Sequence, residues 1–166
     1  MEIRVLGAGG HGLVASEILE AQGYKVIFHD DASSLPLFEA YNYPAVVAIG
    51  DNKTRAMVFR NLTCPMNAVH QSAIISKSAV IGRGVVICAG VIINACAEIG
   101  DNVILNTGCS IDHHCVIMDH AHVAPNATLC GKVKIGEGTL VGANSTCVPG
   151  AAVPEWSLVK AGSVYK

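Results

Sequence analysis

The sequence predicts a small α/β module followed by a three-sided parallel β-solenoid. Three observations carry this: a hexad repeat, a column of small residues in phase with it, and a strand, glycine loop and helix at the N-terminus. From Val69 to Val159 every sixth residue is Ile, Leu or Val, Cys147 excepted, without one insertion. A helix repeats every 3.6 residues and a half-buried strand every two, so a period of six belongs to neither. Four places after each aliphatic, from Ala73 to Ser163, no residue is larger than Val and none is charged. Short strands wrapped three to a coil account for both columns. The aliphatics fill the axis, and only small side chains fit beside them at the corners. Sixteen hexads give about five coils. Coils stack at roughly 4.8 Å, so residues eighteen apart are direct neighbours.

The N-terminal elements follow in order. "EIRVL", residues 2 to 6, reads as a strand feeding "GAGGHG", Gly7 to Gly12, and then a helical stretch "LVASEILEAQG" that ends at Gly23. "YKVIFHDD" reads as a second strand, residues 32 to 44 as an irregular connection, Ala45 to Gly50 as a third strand, and roughly Lys53 to Leu62 as a second helix. Gly7, Gly9 and Gly12 match the phosphate-binding pattern G-x-G-x-x-G in the right context, with acidic Asp30 and Asp31 about twenty residues on. A full dinucleotide fold needs two such halves, and there is room for one. The expected division is therefore a half-Rossmann module over 1–68, sized for a mononucleotide, and a solenoid over 69–166.

Half the residues are hydrophobic, 51%, but only 5% are aromatic and 14% charged, so the core is built from Ile, Val, Ala and Cys. That suits thin, repetitive β packing. The net charge of -2, without a Lys/Arg cluster, lacks the basic footprint of nucleic-acid or anionic-membrane binding. Seven Cys without a CxxC pair, no leader-like N-terminus and no apolar run of membrane-spanning length lead us to expect a cytoplasmic protein with free thiols. The hexad pattern resembles the hexapeptide-repeat family, which implies that the solenoid is a left-handed parallel β-helix.

"SIDHHCVIMDHAHVAP", Ser110 to Pro125, holds His113, His114, His120 and His122. In the hexad register Cys109 and Cys115 point inward and the four histidines outward, which disfavours a Cys/His zinc cage. His113 and His122 are half a coil apart and diverge within one prism. They converge only where another protomer packs alongside, as in a trimer of parallel prisms. Such a trimer also leaves open an intersubunit zinc site resembling that of γ-class carbonic anhydrases. For acyl transfer, His113 stands eighteen residues before Gly131, whose N–H is expected about one strand spacing above the imidazole. A neutral His113 would accept a proton from an attacking amine or hydroxyl, and Gly131 N–H would meet the developing oxyanion.

A closer resemblance, carried by "GAGGHG", "HDD", "AIGDNKTR", "VHQSAIIS", "LNTGCSIDHHCVI", "HVAPNATLCGKVKIG" and "VGANSTCVPGA", is to the sialic acid O-acetyltransferase-like group that includes UDP-4-amino-sugar N-acetyltransferases. It implies a homotrimer that transfers acetyl from acetyl-CoA to a UDP-linked amino sugar, with no metal. His113 is then the base, and Asn106 lies near the acceptor sugar. Gly9, Gly10 and His11 wrap the phosphates, while Asp30 and Asp31 hold the uridine. Acetyl-CoA runs past His122, Gly131 and Ala143, with the chain near Ala161 closing over it; charge complementarity alone, not the resemblance, points Lys160 or Lys166 at its phosphates. Two departures stand out: His114 occupies the place of a carboxylate that usually follows the base, and the chain ends at Lys166 where members commonly extend further. Alternatives from the same residues are O-acetylation of sialic acid or another sugar, and nucleotide-sugar binding without catalysis.

Overall fold

The computed structural model of the chain describes residues 1–30 and 37–166, so Asp31 lies outside the described residues. The N-terminal module is a parallel four-stranded sheet of β1 (Glu2–Leu6), β2 (Lys25–His29), β3 (Pro44–Val47) and β4 (Cys64–Pro65), in the order β2-β1-β3-β4. Helix α1 (Gly10–Ala21) starts inside the glycine loop, three residues before the expected "LVAS". Gly9 caps it in an extended conformation, and Leu13 N–H closes the first turn on Gly9 O at 3.1 Å. The spacing of the loop is steric: a side chain at Gly12 would run into the Gly7 carbonyl, and Gly7 itself has φ +105°. Close helix–strand approach is thus open only to glycine. Helix α2 (Asn52–Phe59) begins where Asp51 accepts from Thr54 N–H at 2.8 Å, a side-chain N-cap.

Two elements were not expected. A 3-10 helix covers Leu37–Ala40, and β4 adds an edge strand of two residues. Pro65 is tolerated there because an edge strand needs no N–H on its outer side.

The second half is the expected three-sided solenoid, with all neighbouring strands parallel. Each strand has two residues and pairs with the strand eighteen positions on, as in Glu98↔Val116, Ile104↔His122 and Ser110↔Thr128. The second residue of each pair points to the axis. Ile87, Leu105, Ile111, Leu129 and Ile135 are completely buried, as are Val85, Cys109, Cys115 and Val133 from the small column. We call the six-stranded face through Ile104–Leu105 and His122–Val123 the first, the six-stranded face through Ser110–Ile111 the second, and the five-stranded face through Val116–Ile117 the third. The wrapping runs one hexad past Val159, to Val164–Tyr165.

Each turn between faces places one residue in the left-handed region, every sixth position from Gly84 to Gly162. Six of these are Gly; the others include Asn102, Asn126 and Asn144, with His114 at φ 57° and His120 at φ 61°. Asn and His are the side chains that, after Gly, enter this region most readily. The turn geometry therefore tolerates imidazoles at 114 and 120, as it does Cys96, Lys132 and Trp156 at equivalent positions.

The module seats on the first face and on the edge between the third and first. Ala68, Val86 and Ile104 of that face are buried beneath it, and one core cluster runs from Ile3 and Leu19 into Ile87 and Leu105. Arg55 of α2 is fully buried at this junction. Its guanidinium donates to Ile49 O (3.1 Å) and Gly50 O (3.4 Å) in the module, and to Asn102 O (3.2 Å), His120 O (2.6 Å) and Ala121 O (3.4 Å) in the solenoid. Asn52 adds a bond to Gly138 O at 2.9 Å. Among the described residues no helix is long and apolar enough to cross a membrane.

Candidate active site

The expected site residues separate onto two edges of the prism. The turn between the first and second faces carries Asn106, Ala143 and Ala161; the turn between the second and third carries His113, His114 and Gly131. Within one chain the second face lies between them.

At the His113 edge the coils lock the His113 backbone in place. Lys132 N–H donates to His113 O at 2.9 Å, and His114 N–H to Ala95 O at 3.0 Å. The imidazole lies over Gly131: a Cβ there would stand 2.7 Å from both His113 Cε1 and Nε2. It is the Gly131 Cα, rather than its N–H alone, that makes room for the ring. Asp112 accepts from His113 N–H at 2.7 Å and from Asn94 Nδ2 at 3.1 Å. These bonds hold its carboxyl below the usual range, with Gly131 N–H a minor contributor. Asp112 therefore braces the backbone, and its hydrogen bonds run to His113 N–H and Asn94 rather than to the imidazole nitrogens. His113 Nδ1 instead meets His114 Nδ1 at 3.1 Å, the rings 83° apart in plane.

At the other edge, Asn106 Oδ1 accepts from Thr107 N–H at 2.8 Å, which fixes the amide so that Nδ2 donates to His122 Nε2 at 3.1 Å. His122 in turn stacks on His11 of the glycine loop, ring centroids 6.5 Å apart. The histidines do leave the prism as expected, but His120 and His122 do not wait for a second protomer: the chain's own module covers them. His120 is buried against Phe59, its Nδ1 2.9 Å from the Asn102 amide. Asp30 accepts from Ala8 N–H at 2.9 Å, tying the end of β2 to the glycine loop beside Gly9 and Gly10.

Burial, reinforced by the Arg55 charge, holds both His122 and His11 neutral, their pKa values falling from 6.5 to about 3 and about 4. In the unfolded chain both take a proton near 6.5, so the folded state loses stability as pH drops below that value. The contribution is complete above pH 6.5 and disappears towards pH 4 for His11 and pH 3 for His122, at about 1.4 kcal/mol per unit and per histidine. Chemical denaturation at pH 7, 6 and 5 is expected to show a loss of about 2 kcal/mol for each ring by pH 5, smaller in His122→Gln. A flat profile would contradict the burial of both rings.

The thiols of Cys88, Cys109 and Cys147 are pushed up by burial to about 11, 12 and 11. They are packing residues, not nucleophiles. Among the described residues no three His, Cys, Asp or Glu side chains converge as metal ligands would. Sequence reasoning missed Arg55, because an Arg on a short polar helix looks like a solvated residue.

Comparison with known proteins gives matches in both halves of the chain. Residues 2–62 match the PglD N-terminal domain, residues 96–131 and 114–149 the bacterial transferase hexapeptide (six repeats), and residues 71–95 the hexapeptide repeat of succinyl-transferase. Among solved structures, the acetyltransferase domain of PglB from Neisseria gonorrhoeae is 31% identical, with 99% of this chain and 91% of that one covered and a TM-score of 0.93. The same domain in complex with acetyl coenzyme A gives 30%, 97%, 88% and 0.91. PerB from Caulobacter crescentus, in complex with CoA and GDP-perosamine, gives 33%, 100%, 89% and 0.91. With both modules matched in one chain and these relatives covered almost end to end, the chain belongs to the hexapeptide-repeat family of sugar N-acetyltransferases.

Proposed function

We propose that this protein transfers the acetyl group of acetyl-CoA to the amine of a nucleotide-linked sugar, in a site completed between the protomers of a homotrimer. The observation that carries the reading is the separation of the site residues onto the two edges that flank the second face. That face presents Ile74, Ile92, Ser110, Thr128, Thr146 and Val164, with no charge, whereas the third face carries Glu98 and Lys134. Ile74 and Val164 are more than half exposed in the single chain. Packing three second faces around an axis covers this apolar strip. It also brings the His113 edge of one protomer against the Asn106 edge of the next.

In that groove the nucleotide-sugar diphosphate lies on the N-terminus of α1, at Gly9, Gly10 and His11, where free backbone N–H groups favour an anion. Asp30 stands at the nucleoside end, and Asn106 at the sugar. Acetyl-CoA extends along the groove past His122, Gly131, Ala143 and Ala161. The neutral His113 takes the proton as the amine attacks the thioester carbonyl. The C–N bond forms, the C–S bond breaks, and the proton passes to the departing CoA sulfur. Residues 1–68 serve as the nucleotide-sugar module and 69–166 as the transferase scaffold. The complexes of the two relatives, one with acetyl coenzyme A and one with CoA and GDP-perosamine, support both co-substrates.

The test is CoA thiol release from acetyl-CoA across UDP- and GDP-linked amino sugars, their hydroxyl counterparts and free sialic acids. Release is expected with a nucleotide-linked amine alone. Turnover confined to sialic acid would replace the reading with O-acetylation, and calorimetric binding without turnover would reduce it to a binding protein.

A further inference from the structure

We propose that His114 is a positioning residue that accepts the Nδ1 proton of His113 and so leaves the His113 Nε2 lone pair free for the substrate amine. This rests on His113 being the base. The two Nδ1 atoms are 3.1 Å apart with the rings nearly perpendicular, so one proton lies between them: two N–H groups or two lone pairs at that distance repel. The proton belongs to one ring, and the other ring is fixed as acceptor.

Neighbouring groups leave His114 this role. The Asp112 carboxylate, next in the chain, accepts from His113 N–H and Asn94 Nδ2 through Oδ1, and the His113 ring makes its hydrogen-bond contact with His114 instead. The Cε1–Nε2 edge of the His113 ring lies over Gly131 Cα, which offers it no acceptor. Both backbones are clamped by the coils on either side. The left-handed turn at His114, φ 57°, sets the direction of its side chain. A neutral acceptor thus fills the place of a carboxylate. It orients the base without adding negative charge, and its bond to His113 tightens when His113 becomes imidazolium.

Two variants keep the left-handed turn. His114→Gly removes the acceptor. His114→Asn restores one, because Asn Oδ1 branches from Cγ where His Nδ1 does. His114→Gly is expected to lower kcat about 10- to 100-fold, the loss of one charge-assisted hydrogen bond in the transition state, with KM for both substrates within about threefold. His114→Asn is expected to recover to within about fivefold. Imidazole 15N NMR of the substrate-free protein, with the His113 signals assigned by their loss in His113→Gln, is expected to show the proton on Nδ1 in the parent and a shift towards Nε2 in His114→Gly. An unchanged kcat in His114→Gly, a fall in kcat without a tautomer shift, or an Asn variant no better than Gly overturns the proposal. The NMR measurement needs no turnover. A failure of the acetyl-transfer reading therefore shows as an absent reaction with the tautomer pair intact.

Discussion

His113→Ala is expected to lower acetyl transfer by two to four orders of magnitude while leaving the fold intact. The magnitude is that of removing a positioned general base, about 10²- to 10⁴-fold. A sugar ammonium must shed one proton to become a nucleophile and the amine a second as the amide forms, and His113 is the imidazole that the coils hold over Gly131. Its ring lies on an exposed turn and supports no core contact, so the stability cost is within about 0.5 kcal/mol. The expected result is therefore a collapse in kcat at an unchanged denaturation midpoint. A rate within a factor of three of the parent would remove His113 from the mechanism. A parallel loss of stability would show that the ring is structural.

The second large effect is on folding. Arg55→Met is expected to destabilise the protein by about 3 kcal/mol and lower Tm by roughly 6 to 12 °C. The guanidinium is wholly buried, yet carbonyls alone satisfy its hydrogen bonds, two in the module and three in the solenoid. Burial lowers its pKa to about 10, so it still carries its charge at neutral pH. Met matches much of the volume, but it leaves those carbonyls unpaired at the seam on which the glycine loop and His122 both depend. Relief of an uncompensated buried charge offsets part of the loss, which is why the figure is not larger. Equilibrium denaturation in urea, where a change below about 1 kcal/mol would contradict the clamp, decides the matter.

How much of this was legible in the sequence depended on whether a feature repeats. The hexads announced the solenoid, its register and the inward Cys109 and Cys115, because every coil restates the same steric demand. The left-handed column stands in the sequence too, as Gly or Asn at 84, 90, 102, 108, 126, 138, 144, 150 and 162, but the expected register rested on the two inward columns alone and passed it over. The edge strand Cys64–Pro65 is too short to show a period. The burial of Arg55, the covering of His120 and the meeting of His11 with His122 come from docking one module on the other. Nothing local in either segment encodes that contact.

The pairing of every strand with the one eighteen residues on also constrains how such a chain can change. Losing or gaining a single residue within the wrap would turn every later side chain off its own face and empty the axis of aliphatics. Unless the change loops outward at a corner, whole circuits are the units that can be added or removed. Each such step keeps His113 and Asn106 on their separate edges but moves what lies beyond by roughly 4.8 Å along the axis. Lineages of this architecture should therefore differ in length by quanta, and the reach available to a long, thin co-substrate should be graded in the same increments.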